Sequence, residues 1–184
     1  MTYSDLAGCY PIKSEHGNQY ILICYDYDSN TILAEALPSR SDACINKGVQ
    51  KLPGTLTTAG HKPNIHIIDN KAFDLLKKTL LKQNISYQLV TLHIHTRNTV
   101  ERDIQNLKDH FIGGICSTDP KYSAHEWIYL LPQATTTLNL FQTSMKNPKL
   151  SAYAAISGIH EFNRCPLAAG TKVIFHEKTD NPQS

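Results

Sequence analysis

The segment Gln19–Leu37 restricts the fold more than any other part of the chain. Gln19–Tyr27 (QYILICYDY) is rich in Ile and Tyr, the β-branched and aromatic types that fit a pleated surface. Asp28-Ser29-Asn30 is a turn signal, and Thr31–Leu37 (TILAEAL) follows at once. Two strands so close together must pair antiparallel as a hairpin. The start of the chain, about Thr2–Leu6, reads as a third antiparallel strand beside them, joined through the Gly-containing loop Lys13–Asn18.

After this hairpin the periodicity changes. Ser41 and Asp42 offer N-caps for a helix over roughly Ala43–Leu52. Pro53-Gly54 is expected to end or bend it, because proline lacks the N–H and clashes with the preceding turn. Ile65–Ile68 reads as a short buried strand ending at Asp69. Ala72, Leu75, Leu76, Thr79 and Leu80 mark a helical stripe over Ala72–Lys82. Tyr87–Val90 is another strand, and Asn98–Ile115 is helical with Val100, Ile104, Leu107 and Phe111 along one side. Ser123 caps a further helix to about Asn139, interrupted near Pro132. A short helix at Ser151–Ile156 and a strand at Lys172–His176 complete the order. Strands then alternating helices predict an α/β mixed sheet with helices packed on both faces.

At 184 residues there is room for one domain with a sizeable core. No apolar stretch approaches the roughly 20 residues of a membrane span, and Met-Thr-Tyr-Ser-Asp lacks the basic and apolar regions of a secretory signal. The five scattered cysteines contain no Cys-x-x-Cys pair, which points to reduced thiols in a cytoplasmic or nuclear protein. A formal charge of +2 neither requires nor excludes a nucleic-acid partner.

Three carboxylates stand at element boundaries: Asp5 in Tyr-Ser-Asp, Asp69 in Ile-Ile-Asp-Asn, and Glu101 in Arg-Asn-Thr-Val-Glu-Arg. Acids gathered by an α/β fold suit a hard divalent cation, and two cations can clamp both oxygens of a phosphoryl transfer. Each acid has a plainer alternative. Asp5 can be a surface acid and Asp69 a turn former. Asn98-Thr-Val-Glu101 has capping-box spacing. Lys108, seven residues after Glu101, returns to within about 20° of the same helix face. Lys77, Lys78 and Lys82 read as a wet helix face, and Trp127 as core. A zinc site built on His93-x-His95 with His61 or His66 has no recognised ligand spacing.

The element order and the three acids resemble the catalytic core of retroviral and retrotransposon integrases, over about Tyr3 to Ala155. Asp5 in Tyr-Ser-Asp-Leu matches the family's first-strand Asp. Asp69-Asn70 matches the Asp-Asn that ends the fourth strand. Glu101-Arg102, 32 positions further on, matches the Glu that opens the long helix. Asn139–Tyr153, with Asn147-Pro148 and Ser151-Ala152-Tyr153, is most similar to copia-type polyproteins, and Pro166–His176 to the segment after their core. The chain departs from the family at Lys71-Ala72-Phe73 and at Arg97-Asn98, where an Asn-Gly or Gln-Gly turn is usual. The His-His-Cys-Cys module that precedes these cores is not found here, so the chain reads as a core fragment.

The resemblance implies a ribonuclease-H-like five-stranded sheet, three antiparallel strands with two parallel additions. It implies an integrase-type core over residues 1–160 and the start of a post-core segment over 161–184. It also implies a Mg²⁺- or Mn²⁺-dependent endonuclease and transferase of DNA integration, with Asp5, Asp69 and Glu101 as catalytic metal ligands. Lys108, Arg102 and Arg97 would bind DNA, and the core would form a homodimer. Two alternatives keep the fold: an inactive or domesticated module for DNA binding or self-association, and a nuclease of RNA–DNA hybrids.

Overall fold

In the computed structural model, residues 1–68, 74–89, 96–159 and 170–173 are described. The hairpin forms as expected. β1 (Thr2–Gly8), β2 (Tyr20–Asp26) and β3 (Thr31–Leu37) are antiparallel, with Tyr3 opposite Tyr25 and Tyr25 opposite Ile32. The turn is tied by Asp26, whose Oδ2 accepts from the Ser29 N–H at 3.0 Å and the Ser29 hydroxyl at 2.7 Å. Asn30 follows at φ 57°, a conformation that Asn tolerates well.

β4 (Ile65–Ile68) then adds parallel to the other edge of β1, and β5 (Ser86–Leu89) adds parallel to β4. The sheet order is β3-β2-β1-β4-β5, which places β1 at the centre. Of the strand expected over Lys172–His176, Lys172 and Val173 pair with no strand, and the remainder lies outside the described residues.

Side-chain alternation along β2 builds two cores. Ile21, Ile23 and Tyr25 point to one face, where α3 (Thr96–Cys116), a 3₁₀ helix (Ala124–Tyr129) and α4 (Leu131–Phe141) supply Ile104, Leu107, Phe111, Trp127 and Leu131. Leu22 and Cys24 point to the other, where α1 (Asp42–Thr58) and α2 (Asp74–Lys82) supply Val49, Leu52, Leu76 and Leu80. Burial in that apolar layer pushes the Cys24 thiol up to about 12.

The expected stop at Pro53 does not occur. α1 begins after its N-cap Ser41 and runs through Pro53-Gly54 to Thr58. Proline costs roughly 3 kcal/mol inside a helix. Val49, Leu52 and Leu56 are all buried, and each contributes roughly 1.5–3 kcal/mol. Tertiary burial therefore outweighs the local preference. Pro132 behaves as expected, in the first turn of α4, where the missing N–H costs nothing.

α4 and the segment after it close the free edge of β3. Asn139 mimics a strand: its Oδ1 accepts from the Ile32 N–H and its Nδ2 donates to the Ile32 carbonyl, both at 2.8 Å. α5 (Ala152–Ser157), capped by Ser151, accepts from the Thr31 hydroxyl through the Ala152 carbonyl.

Candidate active site

β1 carries two sets of side chains. Tyr3 and Ala7 are buried in the α3 face, so Asp5 between them projects to that face as well. It stays 54% exposed, open to ligands. Across from it, Ile104, Leu107 and Phe111 anchor α3 on the sheet, and Lys108 beside them brings its Nζ to 3.7 Å from Asp5 Oδ2. A pair this exposed contributes at most about 1 kcal/mol to stability. Its consequence is local: a cation stands beside the central carboxylate.

Glu101 lies on α3 two turns before Lys108, about 10 Å along the axis and near the same face. It is exposed. The capping alternative for Glu101 fails, because α3 begins at Thr96. Asn98 is already helical and cannot be the cap. For the same reason Arg97-Asn98 is not a loop but part of the first turn. Arg102 is exposed on α3. Asp69 lies outside the described residues, as do His93 and His95; β4 ends one residue before Asp69, at Ile68. The structure thus brings Asp5 and Lys108 together and puts Glu101 on the same helix. Among the described residues no three His, Cys, Asp or Glu side chains gather as a metal site.

One neighbour was missed in the sequence. Asp103 sits against Tyr25, whose hydroxyl donates to Asn30 Oδ1 at 2.7 Å. Burial holds the Asp103 carboxyl above its usual range, against the downward pull of the Tyr25 hydroxyl and Arg102. Tyr25 is raised too, first by burial and then by the Asp103 charge. An Asp two residues after Glu101 on an amphipathic helix was the available signal.

The even-numbered residues of β1 face the opposite core, where Thr2 and Ser4 meet His66 of β4. Thr2 Oγ1 is 2.8 Å from His66 Nδ1, and Ser4 Oγ is 2.9 Å from Nε2. His66 is fully buried, and burial lowers its pKa to about 4. With both ring nitrogens engaged, it is not a free zinc ligand. His61 Nε2 is likewise occupied, 3.0 Å from the Ala155 carbonyl. Lys77 pairs with Asp74 at 3.2 Å and Lys78 and Lys82 are exposed, as a wet face requires; Trp127 is core.

No protein-family model and no curated protein matches the chain. Solved structures do. The catalytic core domain of BIV integrase aligns with a TM-score of 0.61 at 14% identity, over 84% of this chain and 91% of that one. A chain of the simian T-cell lymphotropic virus intasome, solved in complex with PP2A regulatory subunit B56 gamma, aligns with a TM-score of 0.62 at 15% identity. That alignment covers 96% of this chain and 59% of the other. At such identities the likeness establishes the fold. The chain has the ribonuclease-H-like α/β fold of integrase catalytic cores. Among the described residues no helix is long and apolar enough to cross a membrane.

Proposed function

We propose that this chain is an integrase-type polynucleotidyl transferase core of a copia-type retroelement, acting on DNA in the nucleus or cytoplasm. The observation that carries the reading is the Asp5–Lys108 pair. It joins the centre of the sheet to the helix that bears Glu101. The donor set is made of carboxylates only, and Asp5 is accessible, which fits a hard cation such as Mg²⁺ or Mn²⁺. Asp5, Asp69 and Glu101 would hold the ions. When bound, they would lower the pKa of the nucleophile and neutralise charge on the phosphate.

The chemistry proposed is two in-line displacements. A water oxygen bonds to phosphorus near a DNA end, and the 3′-oxygen leaves as a hydroxyl. That 3′-hydroxyl then attacks a target phosphodiester, and the target's own 3′-oxygen leaves. Lys108, Arg102 and Arg97 would hold backbone phosphate, so binding would be salt-sensitive. A homodimer is part of the same reading.

A second reading keeps the fold without the reaction. The same Lys108–Asp5 contact favours it, since an ammonium group already neutralises Asp5. Mg²⁺-dependent nicking and joining of duplex DNA, run beside an RNA–DNA hybrid, decides between them. The transferase reading expects activity on duplex DNA that Asp5→Asn and Asp69→Asn abolish. Lys108→Ala should weaken DNA binding and lower its salt slope by about one. Duplex binding without Mg²⁺-dependent cleavage would favour the inactive module, and cleavage confined to the hybrid would favour a hybrid nuclease.

A further inference from the structure

We infer that His66 is a positioning residue, a clasp that fixes β4 against β1 and thereby places the chain leading into Asp69 beside the strand of Asp5. The role in placing a metal site rests on the function proposed above; the clasp itself rests on geometry. The ladder between β1 and β4 consists of Thr2 opposite His66 and Tyr3 opposite Ile67. By contrast β1 and β2 pair along their whole length, from Thr2 opposite Asp26 to Gly8 opposite Tyr20. So short a parallel ladder specifies its register weakly.

The imidazole supplies what the backbone lacks. Thr2 and Ser4 are two residues apart and project to the same face, one toward each ring nitrogen. A slip of one residue would turn both hydroxyls to the opposite face. A slip of two would leave one ring nitrogen without its partner. Only the observed register satisfies both nitrogens, and a buried polar group without a partner is costly. The tautomer follows from the neighbours. The Thr2 hydroxyl donates to the Ile65 carbonyl at 3.4 Å, so it accepts from Nδ1–H, and the Ser4 hydroxyl donates to Nε2. A leucine could fill the same volume but could not read the register.

The test is native-state hydrogen exchange on the full chain at pH 7.5, comparing wild type, His66→Leu and Ser4→Ala. The clasp predicts exchange at β4 and along the β1 edge at least tenfold faster in both variants. The β2–β3 hairpin should change much less. Should His66→Leu fail to fold, Ser4→Ala, at a partly buried position, carries the same comparison. Uniform acceleration of all strands, or unchanged exchange at β4, would overturn the clasp. A second arm reads the Mg²⁺-induced rise in melting temperature. The placement role expects wild type to respond and the variants to lose at least half of the response. Variants that keep the full rise would overturn the placement role. A wild type that does not respond at all would overturn the metal reading of the site, while exchange still decides the clasp.

Discussion

The two faces of the sheet are built differently, and the difference separates chemistry from alignment. The α3–α4 face is aromatic. Tyr10 stacks on Trp127 with centroids 5.3 Å apart, and Phe111 meets both rings edge-on. The α1–α2 face is mainly aliphatic, packed with leucine, isoleucine and valine, and His66 sits in it between two hydroxyls. β1 contributes to both. Its odd residues present Asp5 to α3, and its even residues hold His66. The aromatic face thus carries α3 and its Lys108 beside the carboxylate, while the far side holds the contact between β1 and β4.

The largest effect that can break this comparison is expected at Phe111. It is buried at the junction of α3, the 3₁₀ helix and the Tyr10 loop. Phe111→Ala should cost about 3–5 kcal/mol in denaturant unfolding. Leu80→Ala, equally buried on the opposite face, should cost less by roughly 0.5–1.5 kcal/mol, because aromatic pairs add that much beyond area burial. Equal losses would mean that the ring geometry contributes nothing and that the two faces differ only in name.

The next effect belongs to the aliphatic face and to pH. In the unfolded chain His66 takes a proton near its ordinary 6.5; in the fold it does so only at about 4. Burial is the larger cause and the Met1 amino group adds to it. The unfolded state therefore binds the extra proton between these values. Stability is complete above pH 6.5 and falls as pH drops toward 4, by about 3 kcal/mol at the limit. Asp103 on the other face has the opposite sign. Its raised folded pKa lets the folded state bind a proton before the unfolded one, and stability is gained as pH falls through that interval. Urea titrations of wild type and His66→Leu from pH 7 to 4 isolate the first term. If the two proteins lose stability in parallel, His66 is not the group responsible.

These faces were not equally legible in the sequence. The hairpin was, because Tyr20–Asp26 and Thr31–Leu37 carry their own β propensity and a short turn. The α3 face was, because Ile104, Leu107 and Phe111 recur at helical spacing, and Lys108 could be placed on the face of Glu101 by rotation alone. The clasp was not. His66 is far in sequence from Thr2 and Ser4, and only the parallel crossover brings it to them. Pro53 does not end α1 for a related reason: a local rule gives way where burial of Val49, Leu52 and Leu56 decides.

The smallest effect asks whether α1 still bears the local cost that burial overrides. Gly54 is exposed, and a Cβ added there would meet nothing within 4 Å. Gly54→Ala removes backbone freedom from the unfolded chain without crowding the fold, so it should raise stability by about 0.5–1 kcal/mol. Gly48, earlier on the same helix, is the control. It is buried against β2, and a Cβ there would come within 2.7 Å of Leu22 Cδ2. Gly48→Ala gains the same propensity but forces Leu22 to move inside the packed aliphatic core, and should be neutral or destabilising. Thermal melts of the two single variants measure the difference. A gain at Gly48 equal to that at Gly54 would show that the α1–α2 face yields to an added methyl group. It would also mean that the close approach of α1 to the sheet is no requirement of the fold.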